Sequence, residues 1–217
     1  MAFRAVIFDL DGTLLDTLDD LAASVNAVLR AAGLPEHAVE AYKTFVGEGM
    51  PTLVEKAFPK AAIADGGRER LVLSVRSEYG NRWKDLSKPY PGIPELLDEL
   101  AGRKLPMAVL SNKPHEFTTK SVEALLGRWS FAAIRGALPD RPFKPDPDGA
   151  LAVARELGVE PSAVLYLGDT GIDMQTALNA GMHPIGALWG FRGAEELRSA
   201  GAKALIKKPT ELLDHVQ

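Results

Sequence analysis

Val6-Ile7-Phe8-Asp9-Leu10-Asp11-Gly12-Thr13-Leu14-Leu15-Asp16 decides how the chain reads. Ala5 to Phe8 is an apolar run of the kind that forms a parallel strand buried on both faces. The run stops at Asp9 and Asp11, residue types depleted in strands, and Gly12 turns the chain. In an open α/β sheet the carboxyl edge of the strands is where ligands bind. Two acidic groups at such an edge repel each other unless they share a cation, and hard cations such as Mg2+ take carboxylate oxygens and substrate phosphates. A metal beside a nucleophilic aspartate is one reading. A plain turn with helix-capping carboxylates is the other, because Asp and Gly dominate turns for local reasons. This stretch alone leaves both open.

Working outward, apolar residues at Leu18, Leu21, Ala22, Val25, Val28 and Leu29 follow helical spacing, and Gly33-Leu34-Pro35 supplies a stop. Further helices are expected over about 37–45, from Pro51 through Ala57, and over 68–83 with Leu71, Val72, Val75 and Tyr79 as the stripe. Residues 16–87 therefore read as an all-helical block with no good strand. Such a block inside an α/β pattern is an inserted domain. The turn-rich Lys88-Pro89-Tyr90-Pro91-Gly92 marks the return. Strand–helix alternation follows. Strands are expected at 106–110, 131–135, 163–167, 184–188 and 204–206, and helices at 93–103, 116–126, 149–157, 173–180 and 211–216.

Composition narrows the function classes. The chain has 217 residues, 46% of them hydrophobic, enough for a sizeable core. Its net charge of -4 argues against nucleic-acid or anionic-membrane partners. It has no cysteine, which excludes disulfides, thiolate nucleophiles and cysteine-ligated zinc. No basic segment followed by an apolar one precedes Asp9, so no signal peptide is expected. No apolar run approaches the roughly 18 residues of a membrane span. A cytoplasmic location is the expectation.

Polar residues recur where the apolar strands stop: Asp9 and Asp11, then Ser111 and Asn112, then Asp169 with Asp173 four positions on. Lys144 sits in the proline-dense Arg141-Pro142-Phe143-Lys144-Pro145-Asp146-Pro147, where restricted backbone aims a side chain. Taken singly, each has a local explanation. Ser111-Asn112 could be a helix N-cap, and Asp169 and Asp173 could cap a turn and a helix. On parallel strands all of them share one edge. Carboxylates, a cation, a hydroxyl, an amide and a lysine make the kind of cradle that phosphoryl transfer needs.

Phe8-Asp9-Leu10-Asp11-Gly12-Thr13, Ser111-Asn112, Lys144-Pro145-Asp146-Pro147 and Gly168-Asp169-Thr170-Gly171-Ile172-Asp173 resemble, in order and spacing, the four motifs of haloacid dehalogenase-like phosphohydrolases. The resemblance spans essentially the whole chain. Thr44-Phe45-Val46-Gly47-Glu48-Gly49, Leu53-Val54-Glu55-Lys56-Ala57 and the stretch from Asn179 to Phe191 are similar to phosphoglycolate phosphatase-like members. The resemblance implies a Rossmann-like doubly wound parallel sheet, with residues 1–15 and 88–217 as the core domain and 16–87 as a small helical cap. It also implies hydrolysis of a small phosphorylated metabolite, with 2-phosphoglycolate as the candidate.

By the same resemblance Asp9 attacks phosphorus to form an aspartyl-phosphate, and Asp11 protonates the leaving oxygen and later activates water. Mg2+ is held by Asp9, the Asp11 backbone carbonyl and Asp169, with Asp173 nearby. Ser111, the Asn112 backbone N–H and Lys144 hold phosphate oxygens, and Thr13 orients the nucleophile or the phosphate. The Gly47-Glu48-Gly49 turn is expected over the site, with Glu48 reading the substrate.

A phosphomutase, pyrophosphatase or phosphonate hydrolase would keep the same core. A dehalogenase would not need Asp11. A phospho-acceptor signalling module would pair its carboxylates without an intervening residue and would lack the helical insert.

Overall fold

The computed structural model describes residues 3–216. Residues 1, 2 and 217, which the expected core includes, lie outside the described residues. The chain begins with β1 (Ala5–Phe8), a short β2 (Leu15–Asp16) and α1 (Leu18–Ala31). Then come α2 (Tyr42–Phe45), α3 (Met50–Ala57), α4 (Lys60–Ile63), α5 (Gly67–Arg82) and β3 (Lys88–Pro89). The alternating half follows: α6 (Ile93–Gly102), β4 (Met107–Pro114), α7 (His115–Leu125), β5 (Ala133–Ala137), α8 (Asp148–Leu157), β6 (Val164–Gly168), α9 (Gly171–Asn179), β7 (His183–Ala187), α10 (Ala194–Ser199) and β8 (Ala204–Ile206).

Six strands form one sheet in the order β5-β4-β1-β6-β7-β8, and every pairing in it is parallel. The fold is α/β and doubly wound, and both faces of the sheet are covered. Alternation along β1 explains this: Val6 and Phe8 join a cluster with Leu96, Leu97 and Leu167, while Ala5 and Ile7 join Val153, Tyr166 and Ala177 on the other face. The chain leaves β1 towards β4 and returns on its other side at β6. That reversal opens the crevice where ligands of such sheets bind.

The helical cap inserted after β1 has its own core, in which Leu21, Val25, Leu53, Val54, Val75 and Tyr79 pack together with Phe117 and Phe191 from the sheet half. Its entry and exit run side by side as an antiparallel ribbon, with Leu15 opposite Pro89 and Asp16 opposite Lys88. Buried Asp20 secures the exit by accepting from the Leu86 and Ser87 backbone and the Ser87 hydroxyl.

Several local expectations are corrected. Over 37–45, a 3-10 turn (Val39–Ala41) precedes the short α2, because the Asn26 side chain binds the His37 backbone at both its N–H and its carbonyl and holds that segment out of the helix. The β2–β3 ribbon and the short α4 and α10 add to the expected elements, and β4 continues past Leu110 to Pro114 with a shift in register. The C-terminal helix is a 3-10 helix at Pro209–His215. No helix of the described residues is long and apolar enough to cross a membrane.

Candidate active site

β1 and β6 are in register, Phe8 beside Leu167, so the residues just past their ends meet. Asp9 and Asp169 are both buried there. Asp173 joins them from the first turn of α9, where it forms a capping box: Thr170 N–H and Oγ1 donate to its Oδ2, at 3.0 and 2.7 Å. One oxygen from each of the three carboxylates lies within 4.8 Å of the others.

Lys144 is the cation that faces them. Its Nζ donates to Asp9 Oδ1 and Asp173 Oδ1, each at 2.7 Å, and to the Leu110 carbonyl at 3.2 Å. Asp169 accepts from Thr13 Oγ1 at 2.8 Å and from the Phe191 N–H at 2.8 Å. Burial raises the Asp9 carboxyl to about 7, with Asp173 and Asp11 adding to the rise and Lys144 opposing it. Burial, followed by the charges of Asp9 and Asp173, holds Asp169 well above the usual carboxylate range. Burial works against the Lys144 charge, but Asp173 and Asp9 outweigh it and keep the ammonium protonated.

Were all three buried carboxylates ionised against one ammonium, two negative charges would be uncompensated in low dielectric, which is why Asp9 and Asp169 are pushed towards their protonated forms. An all-oxygen donor set with that deficit fits a hard divalent cation. Gly12 admits this crowding. Its φ is +89°, and a Cβ there would lie 2.4 Å from Asp169 Oδ2 and 2.8 Å from the Phe191 ring.

Asp11 stands apart from the cluster. Its carboxylate accepts from Thr17 Oγ1 at 2.8 Å and from Lys113 Nζ at 2.9 and 3.1 Å. Lys113 follows Ser111-Asn112 and Tyr79 lies in the apolar stripe of the 68–83 helix, and neither is among the residues that the sequence places at the site. In the fold, Lys113 Nζ donates to Tyr79 Oη at 2.6 Å, and this joins β4 to α5 across the cap boundary. Burial opposes the Lys113 charge, but Asp11 and Tyr79 together hold its pKa above the ordinary lysine range. Burial also pushes the Tyr79 hydroxyl up, to about 12.

Ser111 and Asn112 are buried beside Asp9 in the same pocket. Ser111 Oγ accepts from the Lys113 N–H at 3.2 Å. The Asn112 side chain holds the Lys144 backbone and also donates to the Gly47 carbonyl at 3.1 Å. Gly47 and Gly49 line the pocket. Glu48 is not brought to it: its carboxylate pairs with Lys56 Nζ at 2.5 Å on the exposed side of the turn. The physical reason is local, because α3 carries Lys56 past that side of the turn.

The sequence model of the Haloacid dehalogenase-like hydrolase family matches residues 6–187. The chain is 32% identical over 210 residues to a phosphoglycolate phosphatase of Aquifex aeolicus, covering 97% of this chain and 95% of that one. It is 33% identical over 223 residues to an N-acetylmuramic acid 6-phosphate phosphatase of Pseudomonas aeruginosa, covering 99% and 95%. A crystal structure of a Lactobacillus delbrueckii subsp. bulgaricus protein assigned as a phosphoglycolate phosphatase superposes with a TM-score of 0.90 at 30% identity, covering 100% and 99%. The chain belongs to the haloacid dehalogenase-like hydrolases. Within them it falls in the phosphoglycolate phosphatase-like group, and it is a phosphoric monoester hydrolase.

Proposed function

We propose that the protein is a Mg2+-dependent phosphatase that hydrolyses a small phosphate monoester through an aspartyl-phosphate on Asp9, with 2-phosphoglycolate as the candidate substrate. The observation that carries this reading is the buried constellation of Asp9, Asp169, Asp173 and Lys144 at the crevice of the sheet. The names of two of the similar proteins point to the ester.

In this reading residues 16–87 are the cap, and 1–15 with 88–217 are the core. Asp9, Asp169, Asp173 and the Asp11 backbone carbonyl would hold Mg2+. When bound, the ion supplies positive charge between an anionic nucleophile and an anionic phosphate. Asp9 meets Lys144 through Oδ1, so Oδ2 is the oxygen to attack phosphorus. A new P–O bond forms to Asp9 as the ester P–O bond breaks, and Asp11 delivers a proton to the departing alcohol oxygen. Water then attacks the phosphorus and gives its proton to Asp11, and the bond from phosphorus to Asp9 breaks to return the carboxylate and release phosphate. Lys144, Ser111 and the Asn112 N–H would bind phosphate oxygens, and Thr13 holds Asp169 in place through its hydroxyl. The cap keeps bulk water from the intermediate.

The test is phosphate release from a panel of phosphorylated metabolites, with Mg2+ and with EDTA. Sustained Mg2+-dependent turnover supports the proposal. One phosphoryl group transferred per protein, with no turnover, defeats it.

A further inference from the structure

We propose that Arg192 is a positioning residue that clasps the cap turn over Asp9, and that the loop carrying it, residues 189–192, ties the closed cap to Asp169. This clasp rests on the division into cap and core proposed above, and on no particular ester.

Two successive carbonyls of the cap turn are held from the sheet half. Arg192 Nη2 donates to the Val46 carbonyl at 3.0 Å, and Asn112 Nδ2 donates to the Gly47 carbonyl at 3.1 Å. Both bonds engage backbone alone. A Cβ on Gly47 would already touch Thr170 Cγ2, at 3.6 Å, and Arg192 Nη2, at 4.0 Å. Asn112 is also committed to the Lys144 backbone, whereas Arg192 does not line the pocket at all. Its Nε faces Glu196 Oε2 of α10 at 3.3 Å, which keeps the guanidinium aimed when the turn is away. The side chain is 13% exposed, so its bond to Val46 is a charged donor's bond shielded from water. Nη1 is buried without a protein partner. Closing therefore dries one donor that gains no bond, which weakens the clasp. A lid that opens for each product needs such a releasable contact.

The loop reaches the carboxylates as well. Trp189 Nε1 donates to the Thr13 carbonyl at 2.9 Å, and the Phe191 N–H donates to Asp169 Oδ2 at 2.8 Å. A Cβ on Gly190 would overlap Asp169 and the Gly12 carbonyl, so the loop lies directly on the acidic floor. The ring of Phe191 belongs to the apolar cluster of the cap. One residue is thus both a donor to Asp169 and a plug in the cap, and the next residue is the clasp. Whatever fixes Asp169 favours the closed cap, and closure fixes Asp169 by the same factor.

The chain has no cysteine, so one introduced thiol reports opening. Met50 is buried in the cap wall of the pocket, and Val122 is buried against the sheet on α7. Met50→Cys and Val122→Cys are made separately, each with and without Arg192→Met, and reaction with dithiobis(nitrobenzoic acid) is followed by absorbance. Arg192→Met should speed the reaction at position 50 by on the order of 10-fold, the strength of one hydrogen bond from a charged donor. Position 122 should be unmoved. Mg2+ should slow the reaction at position 50, and Arg192→Met should blunt that protection. Hydrogen exchange of the cysteine-free Arg192→Met protein checks this without a reporter: exchange should quicken over Met50–Ala57 and stay as it is over Ile93–Gly102. No acceleration at position 50, or equal acceleration at both positions, overturns the clasp. Mg2+ protection that is absent, or equal with and without the guanidinium, overturns the tie to Asp169. None of these measurements reads turnover, so their failure leaves the phosphatase reading standing, and absence of phosphate release from every ester would remove that reading alone.

Discussion

Asn112 and Lys144 hold each other through a two-way amide contact: the Lys144 N–H donates to Asn112 Oδ1 at 2.8 Å, and Asn112 Nδ2 donates back to the Lys144 carbonyl at 3.1 Å. The same Nδ2 reaches the Gly47 carbonyl of the cap. One buried side chain thus ties the loop that aims the lysine to the turn above the pocket. Asn112→Ala strands these groups, at about 1–3 kcal/mol for each one left buried and unpaired. Chemical denaturation should register the loss, and kcat/KM should fall by on the order of 100-fold as Lys144 loses its fixed aim. Asn112→Asp, which keeps the acceptor and loses the donors, should sit between alanine and wild type.

Asp9→Asn should end turnover while keeping the fold. Loss of a nucleophile that acts as part of a unit removes on the order of 10^4-fold or more. Without metal and above about pH 7, where Asp9 is ionised in the fold, the variant should melt a few degrees higher than wild type, because the amide removes one of the crowded charges and Lys144 keeps Asp173. Calorimetry and a steady-state assay check the two halves of this expectation.

Stability without metal should fall as pH rises from about 4 to 7. Asp9 titrates near 3.8 when unfolded and at about 7 in the fold, so across that window the native state keeps a proton that the unfolded chain has lost. Asp169 shifts the same way. Mg2+ needs the ionised carboxylates, so its stabilisation should grow over the same window. At about 2–4 °C per kcal/mol for a chain of this size, the rise in Tm on adding Mg2+ should be several degrees larger at pH 8 than at pH 5.5. Thermal melts at the two pH values decide it, and an equal rise at both contradicts the assignment.

Gly12→Ala should damage both stability and metal response. The positive φ alone costs about 1–3 kcal/mol for a residue with a Cβ. The clash with Asp169 and Phe191 adds to it, and Asp169 must move to relieve it. A lower Tm together with a weaker Mg2+ requirement curve is the expected pairing.

Glu48→Gln should leave the ranking of substrates unchanged, since its carboxylate is spoken for by Lys56 outside the pocket. Exposed pairs of this kind contribute about 1 kcal/mol or less, so Tm should barely move. The ester panel provides the readout.

The sheet was legible because its strands are apolar runs that stop at charged or turn-forming residues, and the same stops announced Asp9, Asp169 and Asp173. Lys144 stood out through its prolines. The partners of these residues were hidden for physical reasons. Tyr79 obeys helical apolar spacing, and nothing in that spacing reveals that its hydroxyl meets a lysine of another layer. Lys113 follows Ser111-Asn112 directly, but its direction depends on a register shift within β4 that no local pattern encodes. The β2–β3 ribbon is two residues long on each side, too short to display alternation. Asp173 satisfies both the capping and the charged-cluster readings at once, one oxygen for each.

Since the cap leaves and rejoins the sheet half through adjacent, mutually bonded strands, about seventy residues are attached through a single doorway. Lids of other lengths can be grafted at Leu15 and Pro89 with little disturbance to the catalytic floor, so in such a frame the choice of ester can diversify while the phosphorus chemistry stays as it is.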